Sequence, residues 1–258
     1  MQINKHGSFY LRNGWPTKII DAVRDDAHIY SPNNELLAVD TIGVGRVMIK
    51  AMRYWATVLG ITEEGKDQQG VTQVLTPLGQ LVADNDIFCT DRGTLWLFRN
   101  LARCEDEATA WYWAYNVYPD TNFQKDTFSD ALYSFLQLEG ASYSKAAVQK
   151  EFDWFKNTYV SDQAFSIAKV IDEDTIPFFA PLKLLEYKGK SAFEKRKTPA
   201  QEIPEDIFMY CILADNEEHL QDNRQLSISL LLEGYKQVGK YMNLSFSSLL
   251  EMLQRLEN

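Results

Sequence analysis

The fold class is decided by residues 46–75, RVMIKAMRYWATVLGITEEGKDQQGVTQVL. The first half of this stretch contains no glycine, proline or acidic residue until Gly60, which predicts a helix over 46–59 that ends at that glycine. The second half predicts two short strands, 61–64 and 71–75, joined by a polar turn. A helix followed by a hairpin therefore forms the centre of this region.

The residues before this stretch predict two more helices. One covers 17–26 and follows Pro16, because proline is favoured at the start of a helix. The other covers 34–41 and is separated from the third helix by a glycine-containing turn. Three helices followed by a hairpin is the order of a winged helix-turn-helix, which we assign to residues 1–82.

The rest of the chain predicts a helical body, so the expected fold is mainly α with small β-hairpins (α+β). Residues 83–122 form an aromatic-rich helical pair, and 123–258 form a helical C-terminal region with a basic hairpin near 183–197. Because a helix pair and a basic hairpin occur here again, we expect a second, degenerate winged-helix-like unit at about 123–200.

The third helix carries a cationic face. Arg46, Lys50 and Arg53 recur at i, i+4 and i+7, which places them on one side of a helix. A cationic third helix before a wing is typical of proteins that place this helix in the DNA major groove. The alternative is a solvated basic face that balances nearby acids. Four neighbouring apolar residues are expected to pack on the other helices: Val47, Ala51, Tyr54 and Val58.

Five further residues near this helix are candidate DNA contacts. The amides of Gly43 and Gly45 precede the helix and can hold an anion. Lys66 is expected at the tip of the wing, where it reaches a phosphate or the minor groove. Arg12 in the N-terminal segment is expected to form a salt bridge or to contact a phosphate, and Lys18 is a further candidate DNA contact.

The hairpin at 183–197 holds six basic and two acidic residues. One interpretation is a second grip on the phosphate backbone. The other is a hairpin edge that lysines protect from aggregation. The candidate DNA contacts in this hairpin are Lys188, Lys190, Lys195, Arg196 and Lys197.

Asp84, Asp86 and Asp91 are the candidate metal ligands and catalytic residues. Closely spaced carboxylates can hold Mg²⁺ for phosphodiester cleavage. Asp is also an ordinary loop and helix-cap residue, which is the alternative explanation. No P-loop, metalloprotease helix or nucleophile elbow is present in the sequence.

The charge of the chain is unevenly distributed. The net charge is −10, but residues 1–81 contain eight basic and eight acidic residues, so the acidity belongs to 82–258. The apolar content excludes an intrinsically disordered chain, and no apolar run is long enough to span a membrane. Three widely separated cysteines and no signal core favour reduced thiols and a cytoplasmic location.

Several motifs, in this order, resemble a bacterial family long catalogued only as a domain of unknown function. They are HGSFYLRNGWPTK (6–18), IGVGRVMIKAMRYW (42–55), LTPLGQLVADNDIFCTDRGTLWLF (75–98) and ATAWYWAYN (108–116). Members of this SspB-type family lie beside DNA phosphorothioation genes and are regarded as DNA-nicking components of that defence machinery.

The resemblance implies an endonuclease that nicks one strand of double-stranded DNA for sulfur incorporation. It also implies a cysteine desulfurase, an ATPase and an ATP-pyrophosphatase as partners. The alternative is a non-catalytic winged-helix adaptor or regulator that recruits those enzymes through the acidic body. A homodimer that reads two half-sites is compatible with either role.

Overall fold

The computed structural model describes residues 1–160, 176–222 and 225–257. It is mainly α-helical with two small antiparallel sheets, which confirms the predicted fold class. The helices are α1 (Trp15–Asp25), α2 (Glu35–Ile42), α3 (Arg46–Val58), α4 (Pro77–Asn85), α5 (Arg92–Leu97), α6 (Thr109–Asn116), α7 (Lys125–Leu138), α8 (Lys145–Tyr159), α9 (Glu205–Asp215), α10 (Glu217–Asp222), α11 (Ile228–Glu233), α12 (Val238–Tyr241) and α13 (Phe246–Leu256). The strands are β1 (Thr62–Asp67), β2 (Gly70–Leu75), β3 (Asn122–Gln124), β4 (Leu185–Gly189) and β5 (Ala192–Lys195).

Residues 15–75 form the first unit, in which α1, α2 and α3 precede the hairpin β1–β2. This is the predicted order of three helices and a hairpin. The hairpin is longer than expected: β1 pairs with β2 from Thr62–Leu75 to Asp67–Gly70, so the turn contains only residues 68–69. Asp67 shortens the turn because its carboxylate accepts hydrogen bonds from the amides of Gln69 and Gly70.

Two glycines set the ends of α2 and α3. Gly43 follows α2 with φ of 72°, and Gly60 follows α3 with φ of 75°. Left-handed backbone of this kind strongly favours glycine, because a Cβ would crowd the carbonyl oxygen. These positions fix the angle at which α3 leaves α2 and the point where β1 begins.

Residues 109–160 and 176–195 contain the second unit, with the order α6, β3, α7, α8, β4, β5. Its sheet has the strand order β3-β5-β4. In the first unit a single backbone hydrogen bond takes the place of a third strand: the amide of Gln73 in β2 donates to the carbonyl of Ala27 at 2.8 Å. The segment after α1 thus lies beside β2 as β3 lies beside β5.

A continuous core joins the two units, and aromatic rings form much of the contact. Trp55 of α3 packs edge-on against Trp111 of α6 with centroids 5.3 Å apart, and Trp111 meets Phe155 of α8 at 6.1 Å. Phe128 of α7 stacks on Phe155 at 5.2 Å. The second unit thus packs against α3, the helix for which the sequence predicts a cationic face.

Other details differ from the sequence-based expectation. The first helix of the aromatic-rich pair, α5, ends in a tighter turn than a regular helix, because it continues as a 3-10 helix over Phe98–Ala102. No disulfide joins any two of the three cysteines Cys89, Cys104 and Cys211. Within the described ranges, no helix has the length and apolar character needed to cross a membrane.

Candidate nucleic-acid interface

The cationic face of α3 is exposed as predicted. Arg46 is exposed and forms no ion pair within the described part of the chain. The Lys50 side chain is 75% exposed and lies 3.4 Å from Glu35 of α2. Arg53 is less exposed and pairs with Glu64 of β1 at 2.6 Å. The positive charge is therefore strongest at the N-terminal half of the helix.

The start of α3 is open to an approaching ligand. Gly45 is the N-cap residue and no side chain caps the helix, which also has no acidic residue in its first turn. A Cβ built at Gly43 or Gly45 meets no other atom within 4 Å. The first amides of α3 and the positive end of its dipole are therefore unobstructed.

The predicted apolar face of α3 was wrong in one position. Val47 is 55% exposed, whereas Ala51 and Val58 are buried. The buried side of the helix is centred on Ile49 and Met52, so Val47 falls outside the contact with α1 and α2.

A groove of about 440 Å³ runs beside the C-terminal half of α3. Its walls come from the N-terminal segment, α3, β1 and the loop before α6. The cationic side chains of Lys5, Lys50 and Arg53 line it together with the carboxylates of Glu64 and Glu107. The sequence did not predict this groove, because its residues come from four separate segments. The lining residues are Gln2, Lys5, Lys50, Arg53, Tyr54, Thr57, Val58, Glu64 and Glu107.

Tyr54 links the groove to the loop before α6. Its hydroxyl donates to the carbonyl oxygen of Glu107 at 2.8 Å. Burial, reinforced by the nearby Glu151 carboxylate, raises the pKa of Tyr54 well above its usual value. Tyr54 therefore stays a neutral hydrogen-bond donor and holds this wall of the groove in place.

A buried pair lies behind Tyr54. His6 Nε2 is 3.1 Å from Glu151 Oε2 of α8, and both side chains are inaccessible to solvent. The same carboxylate oxygen accepts the amide of Asn4 at 2.9 Å. The His6 ring is packed by Trp154, with centroids 4.6 Å apart. Residues 3–9 thus tie the first unit to the second, since Trp55 of α3 also donates to the Phe9 carbonyl at 3.0 Å.

The other candidates around the first unit have different environments. Lys66 is exposed but lies in β1 beside the turn, because the strand is longer than predicted. Arg12 is half-buried with its guanidinium 5.5 Å from the Phe9 ring centre and 5.8 Å from that of Trp15. Its Nε is buried without a hydrogen-bond partner. Lys18 is half-buried on α1.

The basic hairpin β4–β5 uses most of its charge internally. Lys195 is buried and donates to the carbonyls of Ala114 and Tyr118 at 2.9 and 2.6 Å, so its ammonium is not accessible to a phosphate. Burial lowers the pKa of Lys195 to about 8. This placement corrects the expectation that Lys195 contacts DNA.

The remaining cations of the hairpin also differ in availability. Lys188 pairs with Glu186 and Glu194 at 2.6 and 2.8 Å, and hydrogen bonds to these two carboxylates raise its pKa. Arg196 donates hydrogen bonds to Glu202 and to two backbone carbonyls. Lys197 donates to the Asn243 side chain and to the Leu244 carbonyl. Lys190 lies exposed in the turn of the hairpin. The hairpin thus offers much less free positive charge than its composition predicts.

Comparison with known proteins identifies the family. A family model described as "Protein of unknown function (DUF4007)" matches residues 3–258. The chain belongs to this family. A search of curated proteins finds no match.

Two solved structures share the fold of this DUF4007 protein. The SspB crystal structure has a TM-score of 0.81 at 20% sequence identity, and the magnesium ion-bound SspB crystal structure has a TM-score of 0.79 at 19%. In both cases the similarity covers 99% of this chain and 77% of the other.

The three aspartates of this DUF4007 protein do not form a metal site. Asp84 accepts from Gln80 and lies 3.7 Å from Arg24, and Asp91 caps α5 by accepting the Gly93 amide at 2.6 Å. Partial burial raises the pKa of Asp86, but hydrogen bonds from Asp91, Thr94 and Thr90 outweigh it and hold the pKa below its usual value.

The described geometry does not place the three aspartates together as metal ligands. Asp86 and Asp91 make loop and cap hydrogen bonds, which is the alternative that the sequence left open, whereas Asp84 accepts from a side chain one helical turn away. Throughout the described ranges, no group of three or more Asp, Glu, His or Cys side chains is placed to hold a metal ion.

Proposed function

We propose that this protein is the double-stranded DNA-binding component of a bacterial DNA phosphorothioation system. The observation that carries the proposal is the exposed cationic face of α3 beside the β1–β2 hairpin. In winged helix-turn-helix proteins, this helix enters the major groove and the hairpin contacts the backbone. The motifs that resemble the SspB-type family, and the fold shared with SspB, support the phosphorothioation role.

The contacts follow from the exposure of each group. Arg46 and Lys50, on one side of α3, reach neighbouring phosphates of the DNA backbone, and the free amides at the start of α3 hold another. Lys66 on β1 and Lys5 at the edge of the groove extend the same surface. The ion pairs of Lys50 and Arg53 are at least partly exposed, so they are weak and a phosphate replaces their carboxylates at small cost.

Binding serves one of two roles. As an adaptor, the protein brings a cysteine desulfurase, an ATPase and an ATP-pyrophosphatase to DNA through its acidic body. As an endonuclease, it nicks one strand before sulfur is incorporated. The disposition of Asp84, Asp86 and Asp91 favours the adaptor. The groove beside α3 favours nicking, because it places two carboxylates next to cations that would hold the backbone.

One experiment tests binding and another separates the roles. Fluorescence anisotropy of a labelled 20-base-pair duplex should show binding that weakens steeply with salt, and no binding at low salt would refute the proposal. A supercoiled plasmid incubated with Mg²⁺, Mn²⁺ or EDTA then reports nicking. Binding with an intact plasmid supports the adaptor, and relaxation that Glu64→Gln or Glu107→Gln abolishes supports an active site in the groove.

A further inference from the structure

We propose that Val47 reads the 5-methyl group of a thymine in the DNA major groove. The inference rests on the proposed DNA binding and specifies what the start of α3 recognises. Val47 is 55% exposed in the first turn of the helix. Every other aliphatic side chain of α3 is buried or half-buried, so Val47 is the exposed apolar group of a helix that is fully described.

The neighbours of Val47 point to a nucleic acid as the occupant of this surface. Arg46 precedes it and Lys50 lies one turn later, and both are exposed. Both cations lie on one side of Val47, where a phosphate backbone complements them while the apolar group faces the base edges. An apolar protein partner would instead have to desolvate both charges. The N-terminal residues of such a helix are also the ones that reach base edges.

The backbone around Val47 leaves room for close approach. A Cβ on Gly7 would lie 3.6 Å from Val47 Cγ1, so a side chain there would cover the valine, and Gly7 has φ of 58° that favours glycine. Gly43 and Gly45 present no side chains in front of the helix. The absence of a Cβ on Gly7 thus leaves the isopropyl group of Val47 uncovered on the side of the N-terminal segment.

The chemistry selects one base. Thymine carries the only methyl group among the four bases in the major groove, whereas the other edges present donors and acceptors there. Those polar edges would lose water against an isopropyl group without gaining a hydrogen bond. Removal of one methyl contact lowers affinity about fourfold, which sets the size of the expected effect.

The test combines a base change with a side-chain change. A duplex enriched from a random library by the wild type is resynthesised with deoxyuridine at each thymine in turn, and affinity is measured by anisotropy. Uracil keeps every hydrogen-bonding group and lacks only the methyl. We expect one position at which deoxyuridine weakens wild-type binding about fourfold, while Val47→Ala binds both duplexes equally weakly. Leu37→Ala is the matched control, because Leu37 is 51% exposed on the adjacent helix α2, and it should keep the preference for thymine.

The outcomes separate the proposed function from this inference. A wild type that binds no duplex overturns the proposed function and this inference together. A wild type that binds but is indifferent to the methyl at every position overturns this inference alone. So does a Val47→Ala variant that discriminates thymine from uracil as the wild type does, or a Leu37→Ala variant that loses the preference.

Discussion

In the first unit, the helix before the hairpin turns its cations outward, with Arg46 and Lys50 exposed on α3. In the second unit, the corresponding helix α8 is anchored by a buried acid and two buried rings, Glu151, Phe152 and Phe155. The two units share the order of their elements, but α8 buries the charged side chains Glu151 and Lys156, whereas the side chains that α3 buries are all uncharged.

The two hairpins differ in a similar way. The β1–β2 hairpin projects polar residues into solvent, whereas β4–β5 pairs with β3 and uses Lys195 to satisfy two carbonyl oxygens near α6. A local excess of lysine and arginine therefore does not by itself create a basic surface. Burial and internal partners decide how much charge remains for a ligand.

The largest expected effect tests the exposed face. The triple variant Arg46→Glu, Lys50→Glu, Arg53→Glu should weaken duplex binding about 1,000-fold in low salt, because three attractive phosphate contacts become repulsive. Anisotropy measures the loss, and circular dichroism verifies the fold. Binding within about threefold of the wild type would show that α3 is not the contact surface.

The next effect concerns the pair that joins the units. His6→Ala leaves the Glu151 carboxylate with one fewer partner and opens a cavity among aromatic rings, so we expect a loss of about 3 kcal/mol in unfolding free energy. For a chain of this size the melting temperature should fall by roughly 6–12 °C. Lys5→Ala, at an exposed neighbouring position, is the control, and equal melting temperatures for both variants would contradict this role of His6.

A smaller effect depends on pH. The folded pKa of Lys195 is about 8 and its usual value is 10.5, so the unfolded chain binds more protons between these values. Wild-type stability should therefore rise relative to Lys195→Met as the pH increases from 8 to 10, by at most about 1.4 kcal/mol per pH unit. Urea unfolding of both proteins at pH 7.5 and 9.5 measures the change.

Two results would count against this account of Lys195. A stability difference that is constant with pH would contradict its buried state. A Lys195→Met variant that folds but binds DNA at least tenfold more weakly than the wild type would show that Lys195 contributes to DNA binding.

The smallest effect concerns the aspartates. Asp91→Ala removes the cap of α5 and should cost about 1 kcal/mol, whereas Asp84→Ala on the surface should change stability by less than about 0.5 kcal/mol. Thermal melts with and without Mg²⁺ check both. A rise in melting temperature with Mg²⁺ that either variant abolishes would show a metal site that the described geometry lacks.

The first unit was predictable because its signals are local. Gly60 ended α3, and the glycine between α2 and α3 marked the turn. The groove, by contrast, brings Lys5, Arg53 and Glu107 together from distant parts of the chain, and no local pattern indicates that. Val47 was misplaced because it lies at the border of the buried face of α3, where helical periodicity alone does not separate exposed from buried positions.

The most direct test is a salt titration of two charge-matched variants. One double variant, Arg46→Gln with Lys50→Gln, removes two positive charges from α3. The other, Lys188→Gln with Lys190→Gln, removes two positive charges from the β4–β5 hairpin. If the first unit alone contacts DNA, the α3 variant lowers the slope of log affinity against log salt by about 1.8, and the hairpin variant leaves it unchanged. Equal changes in slope would contradict the division between the two units.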